Sequence, residues 1–428
     1  MVQKIFLFLF SFIFCYSYTY AQTANTSVKL PSLASEKNIW VDSVYNSLTL
    51  TQKIGQLFMI AAYSGGEKYN QVLIEKLIKE NGIGGVIFMQ GTPSAQAEQC
   101  NLFQTKSKVP LLIGMDAEWG LGMRLTGVRD FPRQLMMGAM QDSLLVYKMA
   151  SAVANQCRRM GVHIDFAPVI DVNNNPNNPV INFRSFGENK YKVANYGIQY
   201  MRGLQDNGVI ACAKHFPGHG DTDVDSHKDL PEIKKSISQL ESLEFYPFNK
   251  LIRDGIQSIM IAHLQIPALD NREHTPSTLS DKTITQLLKQ KMGFTGLIIT
   301  DALNMQGVAK YYSPGEIDLK AFMAGNDILL FSQDVPTGIE KIRSALMNGK
   351  LTEARLAESV KKILEAKFNA GLNKFSPIKT ENINEDLNTY VSPLRKQIAE
   401  AAITLLNDPN LIIDKIKRNA TKNTTYIG

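Results

Sequence analysis

The chain has 428 residues, of which 44% are hydrophobic and 20% charged, with a formal net charge of +6. This is the balance of an ordinary globular protein, long enough for one large core. The positive charge is spread along the chain, and no basic run interleaved with aromatics marks a nucleic-acid partner.

The first residues, MVQKIFLFLFSFIFCYSYTYAQ, read as a secretory signal over 1–21. Lys4 supplies the positive start, Ile5 to Phe14 a short apolar run, and Ala21 the small residue at the cleavage site. The apolar run is too short for a comfortable membrane span, so export to the periplasm or the medium is expected, with no stable span after processing. Phe-Ile-Phe before Cys15 lacks the small residues of a lipidation site. Residues 22–40 are polar and read as an N-terminal extension.

From residue 41 to 375, short apolar, β-branched runs alternate with longer segments of helical spacing. The runs are IGQLFMIA from Ile54, GGVIFM from Gly84, PLLIGMDAE from Pro110 and VHIDFAPV from Val162. VIACAKHF from Val209, SIMIAHLQ from Ser258, GLIITDAL from Gly296 and DILLFS from Asp327 complete the set. Near-continuous apolar character fits strands covered on both faces. Eight strands separated by helices predict an α/β fold of the (β/α)8 TIM-type barrel class; an open doubly wound sheet fits eight repeats less well. Leu351 to Ala370 reads as an amphipathic helix. Residues 376–428 read as a linker, a helix over Val391 to Leu406 and a polar tail. Cys100, Cys157 and Cys212 are widely spaced and form no CxxC pair, so buried free thiols are expected.

Polar residues gather at the ends of these strands. Asp116 and Glu118 end the third, Asp165 to Asp171 follow the fourth, and Lys214 and His215 end the fifth. His263 stands near the end of the sixth and Asp301 ends the seventh. In a parallel barrel all these ends open on one face, where chemistry is expected. Any one of them could merely cap a strand or helix; gathered at the ends of five strands, together they indicate a site.

The densest segment is KHFPGHGDTDVDSHKDLP, from Lys214 to Pro231, where Pro217, Gly218 and Gly220 exclude a regular helix. His215, His219, Asp225 and His227 match no standard zinc spacing and no cysteine joins them, so no metal is expected. Asp225 stands two residues before His227, where a carboxylate can accept an imidazole N–H and stabilise the charged ring, as an acid/base requires. Asp301 follows a buried run, the setting of a rigid, partly desolvated nucleophile; capping of the next helix is the plain alternative. Arg124, Arg184 and Lys214 can hydrogen-bond hydroxyls and hold carboxylates ionised. No GxGxxG, Walker A or GxSxG pattern supports a nucleotide cofactor, phosphoryl transfer or a serine nucleophile, so no cofactor is expected.

The combination resembles the β-N-acetylglucosaminidase branch of glycoside hydrolase family 3. KHFPGHGDTDVDSHKDLP is similar to its histidine loop and ITDALNM to its nucleophile strand. MDAEWGLGMRL is similar to its sugar-binding loop, and NFRSFGEN to its arginine loop. Over residues 45 to 370, the resemblance implies Asp301 as nucleophile, His227 as acid/base and Asp225 as its partner. It implies Asp116, Arg124, Arg184, Lys214 and His215 as ligands of a terminal N-acetylglucosamine, and a carbohydrate substrate attacked by retaining double displacement. The chain departs from the pattern in DAEWG, where many relatives carry glutamine and paired glycines, which places Trp119 beside the neighbouring sugar subsite. AAITLLNDPN resembles the passage by which longer members enter a second domain.

Overall fold

The computed structural model describes residues 33–225, 229–405 and 414. The signal at 1–21, most of the extension and His227 lie outside the described residues. All eight expected runs contain strands, and all are short: β1 (Phe58–Ala62), β2 (Gly85–Phe88), β3 (Leu112–Met115) and β4 (Ile164–Asp165). β5 (Ile210–Phe216), β6 (Ser258–Ile261), β7 (Leu297–Thr300) and β8 (Leu329–Leu330) complete them. Every residue in these strands is buried, because helices cover the outer face and neighbouring strands fill the inner one. The run starting at Ile54 begins instead in helix Leu50–Gly55, whose N-cap Thr49 and Gln52 form a reciprocal capping box.

All pairings are parallel and follow chain order from β1 to β7, with Met59 opposite Gly85 and Val86 opposite Ile113. β8 pairs with β1 through Phe58 and Leu329, and a single bridge from Ile299 to Ile328 joins β7 to β8. The sheet therefore closes into a (β/α)8 barrel, and the open doubly wound alternative falls. Helix starts carry the caps that set their limits. Thr92 precedes Pro93–Lys106, Asn189 precedes Lys190–Gln205 and Asp334 precedes Val335–Met347, each side chain accepting a first-turn N–H.

The described residues on either side of the barrel are more integrated than their composition suggests. Part of the polar extension belongs to helix Leu33–Ser47, whose Trp40 packs its ring 5.9 Å from Phe368. The expected linker contains helix Ile383–Asn388, with Ile383 and Leu387 buried. Asn101 exchanges two hydrogen bonds with the Ile378 backbone, and Arg159 reaches Asp386 and the carbonyl of Glu381. Helix Val391–Ala402 follows, shorter than the expected 391–406. The three described cysteines are buried and free. No helix among the described residues is long and apolar enough to cross a membrane.

Candidate active site

A cavity of about 530 Å³ opens at the C-terminal ends of the strands. Asp116, Arg124, Arg184, Lys214, His215 and Asp301 all line it, so six of the eight predicted site residues are brought together. Asp225 is described but does not line the cavity, and His227 lies outside the described residues.

The floor is built around two acids following β3. Asp116 bonds the Arg124 guanidinium and accepts from Lys214 Nζ at 2.9 Å. Lys214 Nζ also lies 2.9 Å from Glu118. Glu118, fully buried, accepts both arms of Arg184 at 2.7 and 3.0 Å, the fork geometry a guanidinium offers a carboxylate. Burial alone would raise both acids. The charges of Lys214 and Arg124 more than offset this at Asp116, which stays well below the usual carboxylate range. Arg184 and Lys214 hold Glu118 at about 2. Burial by itself would lower Lys214, yet the two acids raise it, so the floor stays ionised at any physiological pH.

The turn carrying these acids is fixed from several sides. Asp165 on β4 accepts the Ala117 N–H at 2.9 Å, and Gln134 donates to the Glu118 carbonyl at 2.6 Å. Tyr200 donates its hydroxyl to the same carbonyl at 3.0 Å. Burial pushes the Asp165 carboxyl up to about 8, so this buried support is largely neutral at pH 7.

His215 is held by Asp171, which accepts from its Nδ1 at 2.7 Å and from its backbone N–H. Its Nε2 lies 3.3 Å from an Arg184 nitrogen. Asp171 also accepts the His219 N–H at 2.7 Å and is held low, His215 outweighing the burial penalty. His219 lines the same cavity, its ring packed edge-on 5.8 Å from that of His215. Burial, reinforced by His215, lowers it to about 4. A ring that neutral carries no acid proton at pH 7.

Asp301 stands directly after β7, its backbone N–H donating to the Ile261 carbonyl at 2.9 Å and its Oδ1 accepting the Ala302 N–H at 2.8 Å. The capping alternative does not describe it, since the next helix starts at Gln306 with Met305 before it. Buried His263 at the end of β6 reaches the Ala302 carbonyl at 3.0 Å and braces this turn. Sequence reasoning placed Glu118, Asp171 and His263 at strand ends without giving them roles. Their partners are 66, 44 and 39 residues away, and no local pattern announces such pairs. Among the described residues no cluster of His, Cys, Asp and Glu could hold a metal ion.

Known proteins share this sequence and architecture. The description "Glycosyl hydrolase family 3 N terminal domain" matches residues 49–366. Beta-hexosaminidase A of Pseudoalteromonas piscicida is 34% identical over 69% of this chain, and the match spans 54% of that protein, about half its length. A beta-N-acetylglucosaminidase/beta-glucosidase of Cellulomonas fimi is 26% identical over 88% of this chain and 68% of its own. Among solved structures, a family 3 beta-N-acetylglucosaminidase from Paenibacillus sp. str. FPU-7 aligns with a TM-score of 0.76 at 35% identity, covering 85% of this chain and 70% of that one. The closed eight-stranded barrel and the match over most of its length lead to one conclusion: the chain belongs to glycosyl hydrolase family 3.

Proposed function

We propose that the chain is an exported, retaining exo-β-N-acetylglucosaminidase acting on peptidoglycan fragments or chitooligosaccharides. The observation that carries this reading is the shared cavity, in which Asp301 faces an ionised floor of Asp116, Arg124, Arg184 and Lys214. Such a floor offers donors and acceptors to the hydroxyls of one terminal sugar, while Asp301 lines the same cavity and supplies a carboxylate nucleophile beside it. The relatives named beta-hexosaminidase and beta-N-acetylglucosaminidase support the substrate class.

In the proposed reaction the Asp301 carboxylate attacks the anomeric carbon as the glycosidic oxygen departs with a proton from His227. Water then gives its proton to His227 and attacks the same carbon, which releases Asp301. Most retaining enzymes use a second carboxyl group for the proton; an imidazole serves because its ordinary pKa lies near neutrality. Glu118 and Asp171 touch no reacting atom here; they hold Arg184, Lys214 and His215 in place.

The test is release of 4-nitrophenol from its β-N-acetylglucosaminide and β-glucoside, with Asp301→Asn alongside. The expected result is preference for the first substrate and a loss of about a thousandfold or more in the variant. The Cellulomonas relative is named for both activities, so preference for the β-glucoside would move the assignment within the family. Undiminished activity in Asp301→Asn would remove the mechanism, and a rate requiring added phosphate would replace hydrolysis by phosphorolysis.

A further inference from the structure

A second cavity, of about 690 Å³, opens at the opposite end of the barrel, where Val162, His163 and Gly208 lead into β4 and β5. Its outer wall is the segment that follows helix Glu353–Asn369. Asn101 pins that segment at Ile378, and the Arg159 guanidinium bonds Asp386 and the carbonyls of Lys379 and Glu381. The wall is thus fixed in the free protein, as in most sites that take a small molecule.

Several groups lining this cavity have unused bonding capacity. The Ile113 backbone N–H donates to His163 Nδ1 at 3.0 Å, so the proton of the neutral ring is on Nε2. Burial, reinforced by the charge of Lys367, lowers the ring to about 4 and keeps it neutral. Among the described residues nothing accepts the Nε2–H. Arg158, Lys374 and Lys379 are exposed cations, and among the described residues none of their side chains has a partner. Of the two acids on the lining, Asp386 is taken by Arg159 and only Glu381 is unpaired. Cys100, Val162 and Leu372, all buried, supply an apolar inner wall.

We propose that this cavity binds an elongated organic anion: Arg158 and Lys374 hold its carboxylate at the exposed rim, Cys100, Val162 and Leu372 meet its apolar body, and His163 Nε2 donates to an oxygen at its inner end. A carboxylate is favoured at the rim, where it keeps part of its water, because an apolar wall penalises any ion. His163 brings a donor without a charge, which suits an uncharged oxygen. The inference is independent of the glycosidase reading, which concerns the other end of the barrel.

The probe is 10-hydroxydecanoate, compared with 1,10-decanediol, in which a hydroxyl replaces the carboxylate. Calorimetry should show one saturable site for the acid, with the diol bound roughly tenfold more weakly, as a partly exposed ion pair allows. In Arg158→Gln/Lys374→Gln the acid should fall to the affinity of the diol, while hydrolysis of the 4-nitrophenyl β-N-acetylglucosaminide is unchanged. Both positions are exposed, so this variant folds even if one at His163 does not. With histidine-selective labelling, the one of six signals that is missing in His163→Gln should shift on adding either ligand. Equal affinities for acid and diol, acid binding undiminished in the double variant, uptake without saturation, or an unmoved His163 signal would overturn the site. A protein inactive on the glycoside that still binds the acid through Arg158 and Lys374 would sink the glycosidase reading alone.

Discussion

Replacing Glu118 by glutamine preserves shape and removes one charge from a buried cluster. Glu118 is fully buried and accepts three charge-assisted contacts, two from Arg184 and one from Lys214. Removing one partner of such a pair leaves the other uncompensated and costs about 3–5 kcal/mol. Proton linkage gives an independent figure. A carboxyl held at about 2 in place of an ordinary 4.5 corresponds, at roughly 1.4 kcal/mol per pH unit, to something on the order of 3 kcal/mol. The sign follows from the depressed folded value: the contribution is complete above the unfolded pKa and is lost as pH falls towards the folded one. Urea unfolding of the wild type and Glu118→Gln, from pH 7 down to pH 3, should therefore show about 3 kcal/mol between them at neutrality. Somewhat over half of that gap should be gone at pH 3, where the wild-type side chain gains its proton on unfolding. A gap below about 1 kcal/mol at pH 7, or one that stays constant across the range, would refute the view that the floor is a tightly coupled ionised cluster.

Further outcomes follow from other parts of the molecule. Lys367 is buried beneath the barrel with Gln56 as its hydrogen-bond partner at 2.6 Å, and burial lowers its pKa to about 7. Between about pH 7 and 10 the unfolded chain holds a proton that the folded one does not, so stability should rise with pH in the wild type. Lys367→Met should abolish that slope and add about 1–3 kcal/mol at pH 6; a thermal scan showing the same slope in both proteins would exclude it. At Gly220 a Cβ would lie 1.8 Å from the Val172 carbonyl, so Gly220→Ala must shift the loop that holds His219. The expected cost is about 1–3 kcal/mol, with a larger proportional fall in kcat/KM than in folded fraction, read by melting and kinetics on the same samples. Arg159→Ala removes contacts to Asp386, Lys379 and Glu381. Limited proteolysis should then cut faster within residues 376–390 while glycosidase activity persists; an unchanged cleavage rate would show that Asn101 and the buried Leu387 hold the segment without it.

The barrel was legible because its signal is local. A strand buried on both faces must be apolar at nearly every position, and eight such runs separated by helical stretches admit few other arrangements. The position of the site was legible for the same reason, since Asp116, Lys214, His215 and Asp301 each close an apolar run and parallel strands bring those closures to one mouth. Strand limits were less legible: Ile54 and Leu57 are as apolar as β1, but the Thr49 capping box draws the chain before β1 into a helix. Composition likewise marked the residues from 376 up to the helix at Val391 as a linker, whereas Ile383 and Leu387 find a buried surface only once the barrel exists.

Tertiary structure alone decided which charges meet. Glu118 carries no mark distinguishing it from any other acid near a strand end. It becomes the anchor of Arg184 because two loops 66 residues apart converge over β3 and β4. The same holds for Asp171, which holds the ring of His215 at 2.7 Å, and for Arg133, whose ring partners Trp119 and Phe183 come from different loops. Hydrophobic periodicity is a property of neighbours in the chain, so the sequence by itself determines where strands and helices form. Ion pairing and pKa depend on distances across the fold, and those exist only after the strands have closed.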